Sequence, residues 1–206
     1  MLRFGLRQEG SYPEVYVRYS VIHKEQTREK LLESSGVMAK EQGFSTIGVD
    51  GLMKAIGLSG GAFYSHFSSK DELFGAIVER ELSNSLRRLS AEGDQDRLKL
   101  KRCLKQYLSM AHVENPQKGC ALPALGAEIA RADQAVRLNA ERWLCQLQQA
   151  WAHTLDSESL AWATLSQCIG ALVVARMMST VQIQQQVLDA SHDLLVRQID
   201  AQEAGE

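Results

Sequence analysis

Between Gly57 and Lys70 the chain mixes very small residues with hydrogen-bonding tips. Gly60, Gly61 and Ala62 lead into Tyr64, Ser65 and His66, while Thr46, Gly48 and Ser59 stand at the edges of two short segments. Hydroxyl, imidazole and ammonium groups of this kind donate to phosphate oxygens and base edges, and glycine lets a backbone approach a groove floor. Each also has a plainer reading: Tyr64 as a packing residue and His66 as a surface histidine. Phe63 and Phe67, four apart, carry no such chemistry and are expected to face inward.

No catalytic constellation competes with this. His23, His66, His112, His153 and His192 are scattered, without His-Glu-x-x-His, Gly-x-Ser-x-Gly or a phosphate loop, so an enzyme is not expected. Cys103, Cys120, Cys145 and Cys168 form no Cys-x-x-Cys pair and have no metal-ligand spacing to a histidine. They read as free thiols in a reducing compartment, and neither a metal nor a cofactor is implied. One sharper chemistry stays open: Cys120 follows Lys118-Gly119, and a nearby cation lowers a thiol pKa, as a redox or electrophile sensor requires.

The elements that must position these groups are helical. Ala, Leu, Gln, Glu and Arg recur, and the 206 residues include only three prolines, so the expected class is all-α. Apolar periodicity and capping residues predict about nine helices, near 24–42, 49–56, 59–66, 69–92, 98–113, 123–130, 133–155, 157–178 and 183–200. Gly43 is a C-terminal stop, Ser59 a candidate N-cap, and Leu58 is expected to plug the turn at Gly57. Ser69 through Glu72 reads as a capping box, Asp133 and Ser157 as caps, and Gly93-Asp94 as the end of the fourth helix. The domain expectation is an unpatterned arm at 1–22, expected to be disordered, a three-helix head with a helix-turn-helix at 23–69, and a helical body at 70–206. The arm carries Arg3, Arg7 and Arg18, and a minor-groove role for it competes with an inessential one.

Charge is consistent with that division. Residues 1–70 carry nine Lys or Arg against seven Asp or Glu, whereas the whole chain has a net charge of −2. A sequence-independent DNA coat is disfavoured by that low charge. No signal segment is evident and no stretch reads as a membrane span, the closest being Ile169 to Val174, so a cytoplasmic protein is expected.

The string GFSTIGVDGLMKAIGLSGGAFYSHFSSKDELF, from Gly43 to Phe74, resembles the DNA-binding signature of the TetR/AcrR family. The Gly43-Phe44 pair, the Gly57-Leu58-Ser59 turn, the Phe63-Tyr64-x-His66-Phe67 run and the Ser69 to Leu73 tail match in order and spacing. Lys118-Gly119-Cys120 through Asp133 resembles one branch of it more weakly. The resemblance implies phosphate contacts from Thr46, Gly48, Tyr64, His66 and Lys70, and base-facing positions at Gly60, Gly61 and Ala62. Gly48 stands where the family often has a hydroxyl and Gly60 where lysine is frequent. Readout is therefore expected to lean on backbone, Ser59, Ser65 and the arm.

A single short helix needs a second copy to hold DNA, so a homodimer on a palindromic double-stranded operator is expected. Leu165, Ile169, Leu172, Val173 and Arg176 would form one interface surface, and Val187, Leu188, Ser191, Leu194 and Leu195 the other; closure of the monomer core is the competing role. The resemblance further implies a small-molecule pocket in the body. Tyr107, Met110, Ala111, Leu125, Trp143, Leu144, Leu147 and Trp151 are its candidates, for a hydrophobic or amphipathic effector of unnamed identity. In that scheme the effector tilts the helix that starts near Ser69 and releases a repressor from its operator.

Overall fold

The computed structural model describes residues 14–89 and 97–204. Among them are nine α-helices and two short 3-10 turns, with no strand. Residues 1–13 of the arm expected at 1–22, and the Gly93-Asp94 stop, lie outside the described residues, while 14–22 of that arm belong to the first helix.

The head is built on α1 (Glu14–Gln42), α2 (Val49–Ala55) and a 3-10 recognition turn (Gly60–Ser65). Helix α1 begins at Glu14, ten residues before the periodic pattern starts, directly after a proline that no helix interior would accept. It ends as expected at Gly43, whose φ of +84° is left-handed and whose amide bonds to the Ala39 carbonyl at 2.9 Å. Helix α2 stops at Gly57, φ +77°. There the Gly57 and Leu58 amides return to the carbonyls of Lys54 and Met53 at 3.0 and 2.9 Å, the paired bonds of a Schellman end. These backbone bonds hold the turn. Leu58 does not plug it: its side chain lies at the surface.

Phe63 and Phe67 point inward as their spacing requires and are buried with Leu31, Leu52 and Met53. Helix α3 (Lys70–Leu89) leaves the head and carries a buried stripe through Leu73, Ile77, Glu81 and Ser85. Its cap is the expected box displaced by one residue. Ser69 Oγ accepts from the Glu72 amide at 3.0 Å, but Glu72 Oε2 accepts from the amide and hydroxyl of Ser68.

The expected helix at 98–113 is two helices, α4 (Arg97–Tyr107) and α5 (Met110–Glu114). They part because Ser109 is extended, with its hydroxyl turned back to the Gln106 carbonyl at 2.8 Å. A 3-10 turn (Pro116–Lys118) then leads to α6 (Leu122–Arg131), α7 (Gln134–Leu155), α8 (Glu158–Met177) and α9 (Val181–Ala204). Asp133 and Ser157 cap α7 and α8 as expected, accepting from the amides of Val136 and Leu160 at 2.8 and 3.2 Å. Helix α8 corrects one expectation: it is long and apolar enough by composition to cross a membrane. In this fold it packs between α7 and α9, and its buried side is part of the body core.

Candidate nucleic-acid interface and body cavity

The recognition turn rests on two buried rings and displays the rest of itself. Tyr64 is 69% exposed and meets Phe63 edge-on, so its phenol is held outward by the ring that anchors the turn. Ser59 occupies the N-cap position with extended backbone, yet its side chain makes no capping bond. Its exposed hydroxyl is therefore not consumed by the helix. Gly61 faces open space, and Ala62 is half-buried against the core, which limits its base-facing role.

Several expected contact residues are already engaged. Thr46 Oγ1 donates to the carbonyls of Gln42 and Gly43 at 3.0 and 2.8 Å, which leaves it an oxygen that can only accept. Ser65 Oγ donates to Ala62 at 2.7 Å. Lys70 lies over the Phe44 ring and donates to the Ser45 carbonyl at 3.2 Å, so it pins the loop after α1 as well as offering charge. His66 has its pKa lowered by burial and by the Lys24 and Arg28 charges, and its Nδ1 is enclosed without a partner among the described residues. At neutral pH it is an uncharged ring beside two cations. Arg28, stacked 4.5 Å over Phe67, is a basic group of this face that the sequence reading did not single out.

The two departures at glycine have different physics. A Cβ on Gly48 would touch nothing within 4 Å, and its φ of −77° suits any residue. A Cβ on Gly60 would fall 1.8 Å from Asp50 Oδ1. Asp50, also not anticipated, fills the space that a lysine stem would need.

The body contains a cavity of about 450 Å³ at the junction of α3, α4, α5 and the 116–120 loop. Tyr107 and Ala111 line it as expected; Met110, Leu125, Trp143, Leu144, Leu147 and Trp151 do not. Leu125, Leu147 and Trp151 are ordinary core residues. Trp143 turns to α3, where its indole N–H donates to Glu79 at 3.0 Å. The wall is more polar than expected, with Ser85, Arg88, Cys103, His112, Lys118 and Cys120 present. His112 takes the Nδ1–H tautomer, donating to the Tyr107 carbonyl at 2.9 Å and accepting the Cys120 amide on Nε2 at 3.1 Å. Burial lowers its pKa, more than the Tyr107 bond raises it. A Cβ on Gly119 would stand 2.0 Å from that Nε2, so glycine is required there. Cys120 is 4% exposed, and burial pushes the Cys103 thiol up. Burial also keeps the Tyr107 phenol neutral.

Two links tie this region to the head. Lys40 of α1, buried, pairs with Glu81 of α3 at 2.7 Å and reaches the Gly119 carbonyl at 3.4 Å. Glu128 of α6 accepts the amides of Phe44 and Ser45 at 2.9 and 2.7 Å.

The expected interface residues divide. Leu165, Leu172, Leu188 and Leu195 are buried in the monomer core. Ile169, Val187 and Ser191 are half-buried, and Arg176 turns inward to donate to the His112 carbonyl at 2.8 Å. Val173 and Leu194 are exposed, together with Trp162, Val174, Met177 and Ile183, which the sequence reading missed. Helix α8 is apolar on every side, so periodicity could not separate its outer stripe from its inner one.

A family model described as bacterial regulatory proteins, tetR family, matches residues 31–77. Among curated proteins, the nucleoid occlusion factor SlmA of Haemophilus ducreyi is 39% identical over 57 residues, 28% of either chain. The uncharacterized HTH-type transcriptional regulator YfiR of Bacillus subtilis is 31% identical over 72 residues, 35% of either chain. The matched stretch thus spans about a third of these relatives or less. Solved structures match far more of the fold. The reduced form of E. coli NemR has a TM-score of 0.67 at 20% identity, covering 80% of this chain and 95% of that one. A TetR transcriptional regulator from Chloroflexus aurantiacus has a TM-score of 0.69 at 19% identity, covering 86% and 96%.

Proposed function

We propose that this chain, which belongs to the tetR family of bacterial regulatory proteins through its head at residues 31–77, is a homodimeric transcriptional repressor released from a palindromic operator by a small molecule. The observation that carries this reading is the recognition turn Gly60–Ser65, seated on buried Phe63 and Phe67 with Tyr64 and Ser59 outward. Small residues bring its backbone to the groove floor, while Tyr64, Lys70 and the Lys24-Arg28 pair meet phosphates on either side. The partner copy docks on the exposed apolar stripe of α8 and α9, through Trp162, Val173, Val174, Met177, Ile183 and Leu194. Such a stripe, left on a water-facing surface, favours a protein contact.

Release works through the two links between body and head. A ligand in the cavity contacts the 116–120 loop, whose Gly119 carbonyl is bonded to Lys40 of α1. The same movement carries α6, whose Glu128 grips the start of the α1–α2 loop. A state with a displaced loop therefore sets a different spacing between the two recognition turns, and a ligand that prefers that state lowers operator affinity. In this version the lever is the loop and α6, with α3 following through Glu81.

The same cavity also bears on the cysteine reading, because Cys103 and Cys120 are in its wall. Burial of Cys120 and the raised pKa of half-buried Cys103 disfavour fast attack on an electrophile. Cys120→Ser is expected to leave the response to peroxide and to electrophiles unchanged.

The test is a DNA-binding titration of the full chain on the intergenic DNA beside its own gene and on random DNA, across salt concentrations. Preference for the intergenic DNA that survives higher salt, together with its loss in Tyr64→Ala, is the expected result. Equal affinity for both DNAs would overturn the operator reading in favour of a sequence-independent binder.

A further inference from the structure

The body cavity is lopsided in charge. Arg88 and Lys118 stand on its rim, and no Asp or Glu is among the described residues that line it. Arg88 is set in place by one bond, from Nη1 to the Lys118 carbonyl at 3.2 Å, which leaves its remaining N–H groups free to bind. Behind the wall, the half-buried Arg176 adds a third cation through its bond to the His112 carbonyl. Glu81, one turn before Ser85 on α3, is neutralised by Lys40.

Deeper in the wall is an unmet polar group. Ser85 is only 2% exposed, and its hydroxyl has no hydrogen-bond partner among the described residues. A buried hydroxyl left unpaired is costly, so a lining residue of this kind marks a place where a bound acceptor would be stabilised. Ser85 and Arg88 are three apart on α3 and share a face, so both can address one group. The rest of the wall sets apolar surface from Leu89, Tyr107 and Ala111 beside polar groups of Gln106, Ser109, His112 and Asn115.

We propose that the cavity binds an amphipathic organic carboxylate, its acid group held between Arg88, Lys118 and the Ser85 hydroxyl and its apolar part against Leu89 and Tyr107. An inorganic anion would leave the apolar wall uncovered. A cation would face Arg88 and Lys118 with no counter-charge among the described lining residues, and a neutral alcohol would forgo the charge-assisted bonds. The volume of about 450 Å³ suits an aromatic acid with a short chain. This inference rests on the proposed effector role of the same cavity and narrows its ligand to one charge class.

The experiment compares three matched probes, phenylbutyrate, phenylbutanol and phenylbutylammonium, on the full-length protein by calorimetry and by anisotropy on operator DNA. The carboxylate is expected to bind at least about tenfold more tightly than the alcohol, with the ammonium weaker still. The double change Arg88→Met with Lys118→Met should abolish that preference while leaving the alcohol's affinity within twofold, and Ser85→Ala should weaken the acid alone. Equal or tighter binding of the alcohol or the ammonium, an unchanged preference in the double variant, or binding of none of the three would overturn the carboxylate assignment. If the acid binds as expected but operator affinity does not change, the ligand class stands and the effector reading fails. If instead the alcohol or the ammonium is the probe that releases DNA, the effector reading stands and this assignment fails.

Discussion

The buried Lys40–Glu81 pair offers the most quantitative test of how head and body are joined. Its two side chains are 6% and 11% exposed and 2.7 Å apart. Glu81 Oε1 also lies against Gly36, where a Cβ would be 3.1 Å away, so the carboxylate has little room to move toward water. Lys40→Met should strand that carboxylate and cost about 3 kcal/mol, at the low end for breaking a buried pair. Glu81→Leu should cost less, about 1–2 kcal/mol, because Lys40 keeps the Gly119 carbonyl and has a flexible stem. The double variant, Lys40→Met with Glu81→Leu, removes both desolvation penalties and should return to within about 1 kcal/mol of the parent. The resulting coupling energy is then at least about 3 kcal/mol, read from urea midpoints at one fixed protein concentration because the proposed dimer makes stability concentration-dependent. Costs that simply add, to within about 0.5 kcal/mol, would refute a tight pair. The restored double variant serves a second purpose. It folds but lacks the Lys40–Gly119 bond, so it should keep operator affinity and lose part of the ligand-induced release.

Gly48→Ser should stabilise the head by about 0.5–1 kcal/mol, from an N-cap hydroxyl and a less flexible unfolded chain, and tighten operator binding a few-fold; weaker binding would show that the DNA backbone needs the bare glycine. Gly57→Ala keeps open space around it but forces a left-handed alanine at φ +77°, so a loss of about 1–2 kcal/mol is expected by thermal unfolding. His66 and His112 both have folded-state pKa values below the unfolded value, so the unfolded chain binds more protons on acidification. Stability should be full above about pH 6.5 and decline as pH falls through the folded values, with His112→Asn flattening part of the slope; a urea midpoint that rises on acidification would contradict it. Gly60→Lys should bind operator more weakly because its stem meets Asp50, and combining it with Asp50→Ala should recover affinity beyond the parent.

What could be read from sequence was local. Ser157 and Asp133 cap helices whose amides lie three residues on, and Phe63 and Phe67 announce their burial by a spacing of four. Gly43 and Gly57 stop helices through conformations that only their own φ must satisfy. Each of these depends on neighbours a few positions away, so the string of residues contains the cause. Lys40 and Glu81 are 41 positions apart, and nothing near either foretells the other. The hint was indirect: Glu81 and Ser85 interrupt an otherwise apolar stripe on α3. Trp143 went to Glu79 rather than the cavity for the same reason, since its partner is on another helix. Helix α8 is a different case, because a helix that is apolar all round carries no phase.

The same separation bears on how this head recognises DNA. Side chains expected to contact DNA are partly spent on the protein itself: Thr46 on Gln42 and Gly43, Ser65 on Ala62, and Lys70 on Ser45. The groups left outward are Tyr64, Ser59 and the bare backbone at Gly61, flanked by Arg28 and Lys24. A surface with so few free donors would gain little affinity from one copy, and the proposed dimer through the exposed stripe on α8 and α9 would supply what a single head lacks. Two weak heads held at a fixed spacing bind as one unit, whose strength depends on that spacing. In the proposed release scheme, the links at Gly119 and Glu128 act where a small displacement has the largest effect: a head with many strong contacts would tolerate it, and this one would let go.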